Sequence, residues 1–341
     1  MVKDHQSLES KVAIVGASTL KGQEVKAVLA ERGFPVAKLV LMDSDEDLGR
    51  VSEFAGEPVV SLSIAEESFA FLDLVFFAGN PGSTRDFAPL AQRNHFLAID
   101  LTNAFYNDPQ VPLLIRDGEF SESVLRPPRE IVSSPHPAAL TVATVLKRLN
   151  LSSRFHRCVI NVFEPASEYG SSGVEELEKQ TINIFSFQPS PQMVFDRQLA
   201  FNLLSRLGEA SKERLFETET IIISELQVLL KGTCPVPALT LIQAPVFHTH
   251  SFSFFLELET VPELDQIEDS IRSEFIEVVP AGDEPPSPVQ AAGTDLIHLG
   301  GLKRDFANPK GIWFWAVADN LRLSALNSVA VAERLILRKS H

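Results

Sequence analysis

The sequence predicts an α/β chain of two domains: a first domain built on a parallel sheet, then an α+β domain whose sheet is mostly antiparallel. Three observations carry this. Short apolar runs alternate with helical stretches up to about residue 150, the signature of strand–helix–strand units. Beyond that point, long strand-like runs follow with few crossovers between them. The chain has 341 residues, 45% of them hydrophobic, which suits two cores.

Residues 11–16, KVAIVG, are an apolar run closed by glycine, as in a strand buried on both faces. In ASTLKGQEVKAVLAERG, Val25, Val28 and Leu29 share one helical face, and Gly33 stands where a C-cap falls. Lys38 to Met42 predicts the next strand; LDLVFFAGN (72–80) and HFLAIDLTN (95–103) predict two more, separated by the helical stretch TRDFAPLAQRN. Further on, RCVINVFEP (157–165), LTLIQAPVF (239–247) and SFSFFLELET (251–260) predict long strands, and 172–185, 197–207 and 262–275 predict helices. Residues 280–293, PAGDEPPSPVQAAG, mark a long loop. NSVAVAERLILRK reads as an amphipathic helix with Val329, Ala332 and Leu335 on one face, returning to the first domain. The expected limits are 1–132, 133–318, and 319–341 for the returning helix.

Composition narrows the function classes. A net charge of −15 disfavours nucleic acid and anionic membranes as partners. No apolar stretch is long enough to span a bilayer, and MVKDHQSLES has no apolar core of a secretory signal. Two cysteines, Cys158 and Cys234, argue against a disulfide framework and fit a reducing cytoplasm. No residues are assigned to a metal.

GASTLKG, Gly16 to Gly22, follows a strand and opens a helix, the context a dinucleotide loop requires. The first glycine permits a tight turn and the last permits close helix–strand packing. The middle position, where backbone approaches a pyrophosphate, is Thr19. An ordinary strand-to-helix turn, N-capped by Ser18 or Thr19, explains the same residues. Asp43 ends the second strand about where an acid meets a ribose hydroxyl, and Asp45, Glu46 and Asp47 would repel a 2′-phosphate. These residues favour NAD over NADP; a solvated acidic turn is the alternative.

Several segments together resemble the aspartate-semialdehyde dehydrogenase family: VGASTLKG at 15–22, FAGNPGSTRDFAP at 77–89, IDLTNAFYNDPQVPLL at 99–114, SSPHPAA at 133–139, GVEELEKQT at 173–181, AFN at 200–202, APVFHTHS at 244–251, AAGTD at 291–295, and WFWAVADNLR with LNSVAVAE at 313–333. The resemblance implies a Rossmann-like first domain that binds NADP and a second domain carrying catalysis and a dimer interface. It implies cofactor contacts at Gly79 and Asn320 as well as in the loop. The implied reaction is NADPH-dependent reduction of aspartyl phosphate. A cysteine thiolate attacks the acyl carbon, a histidine handles the proton, and two arginines hold carboxylate and phosphate.

Position by position, this chain departs from that chemistry. Against the family's N-P-N-C-S-T, it has Ser134, Pro135, His136, Pro137, Ala138, Ala139, so Pro137 takes the cysteine's place. Proline has no nucleophile, yet suits the first turn of a helix. Ser134 or His136 as substitute nucleophile would need a paired base and a donor pocket. APVFHTHS resembles the end of R-x-P-V-x-x-G-H-S, which keeps His250 in the proton-handling position but puts Gln243 in place of an arginine. In Asn103, Ala104, Phe105, Tyr106, tyrosine stands at the second arginine. Glu164 takes the place of a glutamine beside the thioester, Ile221 that of a lysine, and Leu323, Ser324, Ala325 that of K-G-A-A. Cys158 lies in a central strand, where a thiol is inert packing, and Cys234 matches no motif.

The expectation is therefore a catalytically inactive homologue resembling the family's Usg-type paralogues, whose F-G-R-Q-L-A-F-N is similar to VFDRQLAFN here. It would keep a dimeric, NAD(P)-binding scaffold with a structural or regulatory role, as a homodimer or joined to an active paralogue. The rival is an active NAD(P)-dependent oxidoreductase on another aldehyde or acyl substrate in amino-acid biosynthesis, using His250 and Glu164.

Overall fold

The computed structural model describes residues 9–118 and 130–337. The chain divides into two compact units, residues 1–135 with 324–341, and residues 136–323. The first eight residues and the last four lie outside the described residues, so the N-terminal reading and the end of the returning helix are not placed.

The first unit opens with β1 (Ser10–Val15), α1 (Leu20–Glu31), β2 (Val36–Asp43) and the hairpin β3 (Val51–Phe54) and β4 (Glu57–Ser63). It continues with β5 (Leu74–Phe77), α2 (Pro81–Phe87), α3 (Leu90–Asn94), β6 (Leu97–Asp100) and β7 (Ile131–Ser133). Among the described residues, seven strands form one sheet in the order β3-β4-β2-β1-β5-β6-β7. All neighbours are parallel except the β3–β4 hairpin. β1 lies at the centre, which is why Val12 to Val15 are all buried.

Val25, Val28 and Leu29 are fully buried under α1 as their spacing predicts. The helix ends at Gly33, whose φ is +60°, with Phe34 donating to the Leu29 carbonyl and Gly33 to that of Ala30. That is a left-handed helix stop, for which glycine is the least costly residue. The stretch read as one helix before β6 is two, because Pro89 has no amide proton to continue the ladder.

The second unit contains α4 (Pro137–Asn150), β8 (Phe155–Glu164), α5 (Gly170–Phe185), α6 (Leu215–Leu229), β9 (Ala238–Gln243) and β10 (His250–Leu258). It goes on through α7 (Leu264–Ile271), β11 (Ile276–Val278), α8 (Pro288–Ala291), β12 (Ile297–Arg304) and β13 (Gly311–Ala318). α9 (Asn320–Leu337) starts here, and from Ser324 on it belongs to the first unit. The described sheet runs β11-β12-β13-β10-β8-β9, with β10 antiparallel to both β8 and β13 at its centre. One face is buried, through Cys158, Ile160, Val162, Phe252, Phe254 and Phe314. The alternate residues, Val159, Phe163, Phe255, Trp313 and Trp315, remain partly exposed.

The helix expected over 197–207 does not form; these residues are irregular. Two side chains one turn apart on α5 hold this segment instead. Glu176 accepts amides from Met193, Val194 and Phe195, and Gln180 accepts those of Leu199 and Ala200. Amides spent on side chains are withdrawn from a helical ladder, and Phe201 takes a φ of +61°.

In the glycine loop, a Cβ on Gly22 would stand 2.1 Å from the Gly16 carbonyl oxygen, and one on Gly16, at φ +80°, would stand 2.4 Å from the Gly79 Cα. Gly22→Ala is therefore expected to lower stability by about 2 kcal/mol or more, read from urea denaturation, because only backbone could move to relieve the clash.

Candidate functional site

In the first unit, the loop is built by Thr19. Its hydroxyl caps α1 by accepting from the Gly22 amide at 3.0 Å, and donates toward the carbonyls of Gly16 (2.7 Å) and Ala78 (2.9 Å). The loop is thereby fastened to the end of β5, beside Gly79. Asp43 is buried, accepting from the Ser18 amide at 2.8 Å and the Ser61 hydroxyl at 2.8 Å. It anchors the loop from beneath. Gly16, Ser18, Thr19, Gly22, Asp43 and Gly79 thus come together at the start of α1, whose positive end favours an anion. A cavity of about 490 Å³ beside the loop is lined by Ser18, Gln23, Lys26, Asp43, Arg50 and Ser52 among others.

Asn103 and Tyr106 lie in a loop of the same unit, organised by Asp100. That carboxylate accepts from the amide and hydroxyl of Thr102 at 2.7 Å each, from the Phe105 amide at 3.3 Å and from the Ser133 hydroxyl at 3.2 Å. Asn103 takes φ +58°, a left-handed conformation asparagine tolerates. Burial raises the Asp100 pKa above the ordinary carboxylate value of 3.8, against the opposing effect of these hydrogen bonds.

The second unit holds a separate buried polar cluster. His136 is the N-cap of α4, and Pro137 is the first residue of the helix. The His136 Nδ1 accepts from the Ala138 amide at 3.2 Å, leaving the ring proton on Nε2, which lies 3.7 Å from the Glu168 carboxylate. The His136 amide donates to Glu225 at 2.8 Å. The His250 ring lies 5.7 Å from that of His136, edge to face. Glu164 accepts from the Tyr169 hydroxyl at 2.8 Å, and its carbonyl accepts from the Gln243 amide nitrogen at 3.0 Å. Burial, then the neighbouring Glu164 charge, holds the Tyr169 phenol well above its ordinary pKa.

Asn320 links three segments of this cluster. Its Nδ2 donates to Glu168 at 2.8 Å and Ser167 at 3.0 Å, and its Oδ1 accepts from the Thr249 amide at 3.0 Å. Thr249, next to His250, is buried at φ +81°. A β-branched residue there is strained.

The structure therefore places Pro137, Glu164, Gln243, His250 and Asn320 in one unit, and Gly16, Ser18, Thr19, Gly22, Asp43, Gly79, Asn103 and Tyr106 in the other. The sequence reading missed Glu168, Tyr169 and Glu225. The signal for Glu225 was available, as a lone acid in the apolar run IIISELQVLL. Neither cysteine is activated. Cys158 sits inside β8 with burial lifting its thiol far above the ordinary range, and burial pushes Cys234 up to about 11. Among the described residues no helix is long and apolar enough to cross a membrane.

A parallel-sheet unit with a glycine loop, followed by a unit with a mostly antiparallel sheet, defines a two-domain oxidoreductase-like protein with a Rossmann-like, NAD(P)-binding first part. Residues 11–121 match the family model for the semialdehyde dehydrogenase NAD binding domain, and 146–323 that for the semialdehyde dehydrogenase dimerisation domain. The chain belongs to the aspartate-semialdehyde dehydrogenase family, whose setting is amino-acid biosynthesis. It is 30% identical to the aspartate-semialdehyde dehydrogenase of Rickettsia conorii, over 95% of this chain and 97% of the relative. Among solved structures, one described as a probable aspartate-semialdehyde dehydrogenase from Pseudomonas aeruginosa has a TM-score of 0.89 at 30% identity, covering 96% and 98% of the two chains. Aspartate semialdehyde dehydrogenase II of Vibrio cholerae, complexed with ASA, also reaches 0.89 at 26% identity, covering 98% and 100%.

Two expected outcomes test these geometries. Thr249→Gly should raise stability by about 1 kcal/mol by relieving the left-handed strain, measured by thermal melting. For Asp100, a raised folded pKa means the unfolded chain releases its proton first. Wild-type stability relative to Asp100→Asn should therefore fall as pH rises from about 3.8 toward the raised value, read from urea denaturation across that range.

Proposed function

We propose that this chain has lost the family's covalent acyl transfer and keeps the scaffold, as a Usg-type paralogue with a structural or regulatory role. The observation that carries the reading is Pro137 as first residue of α4, where the resemblance sets the cysteine. A pyrrolidine ring supplies no thiolate, and the two thiols of the chain are held protonated elsewhere. Gln243 and Tyr106, at the positions of the substrate arginines, support the same reading, since neither offers the charged fork that grips carboxylate or phosphate.

The loop residues fit a dinucleotide: Gly16, Ser18, Thr19, Gly22 and Gly79 would hold its pyrophosphate end, with Asp43 as anchor. Such a cofactor supplies hydride chemistry when bound. The sequence argument for NAD over NADP rested on Asp45 to Asp47, yet Lys26 and Arg50 are among the residues lining the adjacent cleft. We take the first unit to accept NAD(P) without preference drawn from those acids. Asn320 acts as a structural link, its amide being committed to Ser167, Glu168 and Thr249.

The aromatic face of the second sheet supports a homodimer. Phe163 packs on Trp315 with ring centroids 5.7 Å apart, and Phe255 on Trp313 at 4.9 Å, beside an open cavity of about 520 Å³. A hetero-oligomer with an active paralogue would use the same face. Trp315→Arg is expected to convert dimers to monomers by light scattering; a monomeric wild type would contradict this reading.

A second reading, an oxidoreductase on another aldehyde or acyl substrate, is favoured by the His136–His250 pair. The first reading is tested directly. Purified protein given aspartate semialdehyde, phosphate and NAD or NADP is expected to form no reduced cofactor. Turnover that disappears in His250→Ala would overturn the first reading.

A further inference from the structure

Resting on the reading of the second unit as a homodimer module, we propose that the surface covered by a second copy of this chain continues past the sheet edge, onto an aromatic patch beyond β9. Two segments build the patch. Ile182 and Phe185, three residues apart, share a face of α5 and are exposed, Phe185 at 73%. Phe201 and Leu203, in the irregular stretch before α6, are exposed too, Phe201 at 65%. The rings of Phe185 and Phe201 meet edge to face, with centroids 5.6 Å apart. Scattered exposed apolar residues need no explanation, but a group drawn from two segments that touch at the surface marks an interface.

Register ties this patch to the open face of the sheet. Leu204 exchanges both backbone hydrogen bonds with Gln243 of β9, at 2.9 and 3.0 Å, so the chain there extends the sheet by one rung. Leu204 and Gln243 are buried, as is Glu164, the residue beside Gln243 on β8. Successive side chains in extended backbone point to opposite faces. Leu203, Ile242 and Phe163, one step back in each segment, therefore lie on the open face, where Phe163 packs on Trp315. An apolar row runs from Trp315 through Phe163, Ile242 and Leu203, and past the edge it reaches Phe201 and Phe185.

The backbone carries strain to hold this surface. Phe201 has φ +61°, and Phe187, two residues past the end of α5 and 95% exposed, has φ +53°. Bulky residues rarely take the left-handed conformation, which glycine adopts at least cost, and here the rings gain little burial within the chain. Burial against another molecule offsets that cost. A second copy is the partner that fits. Residues 146–323, which match the dimerisation-domain model, contain the whole patch, and a twofold contact sets the same apolar surface on both sides.

The test is analytical ultracentrifugation of the full chain over a dilution series. Phe201→Asp and Phe185→Lys should each raise the dimer dissociation constant at least about tenfold, because each change enters a twofold interface twice. Aspartate tolerates a left-handed backbone and lysine suits the last turn of a helix, so both variants should keep the far-ultraviolet circular dichroism of the wild type. Ile182→Glu is the deciding variant where either fails to fold. Phe71→Asp, at an 82% exposed phenylalanine of the first unit, should leave the constant unchanged. Undiminished dimers in the folded patch variants would overturn the inference and assign the patch to a different partner; if Trp315→Arg is monomeric under the same conditions, the homodimer reading stands. An equal loss of dimers in Phe71→Asp would overturn the inference as well. A monomeric wild type would overturn both it and the homodimer reading.

Discussion

Much of the second unit depends on how α4 begins. A buried histidine caps the helix, its amide is held by Glu225, its ring proton faces Glu168, and its ring edge meets His250. Burying so many ionisable groups is costly unless each is hydrogen-bonded, so the geometry of one side chain constrains the others. Pro137 is compatible with this start because the first helical turn does not need its amide. The residue that stands where the resemblance sets a cysteine is thus one that helix geometry readily accepts.

The first unit shows the same division between scaffold and chemistry. Its glycine loop is locked sterically at Gly16 and Gly22 and tied down by Thr19 and Asp43. These constraints suffice to conserve the loop's shape whether or not a nucleotide is held there. Loop shape therefore belongs to the fold, while the reaction that the resemblance implies depends on groups carried elsewhere, on a cysteine and two arginines.

Much of the architecture was legible in the sequence, because buried strands and an amphipathic helix write their burial as periodicity: Val12 to Val15 and Val25, Val28, Leu29 lie as spacing predicts. The 197–207 segment was not legible. Its helical pattern is overridden by Glu176 and Gln180, distant side chains that no local window weighs. The hairpin of β3 and β4 was missed since its half-exposed residues carry little apolar signal. For the site, motif order gave Pro137, Gln243 and His250, but Glu168 and Tyr169, in the short turn after β8, became visible only through their contacts with His136 and Glu164. The strain at Thr249, where the resembling motif has glycine, shows in φ and not in residue type.

The central claim is that no thiolate of this chain accepts an acyl group. The direct measurement is the intact mass of the protein, followed by peptide mapping, after incubation with aspartyl phosphate and quenching in acid. The account predicts an unmodified chain. An aspartyl adduct mapped to Cys158 or Cys234 would contradict it.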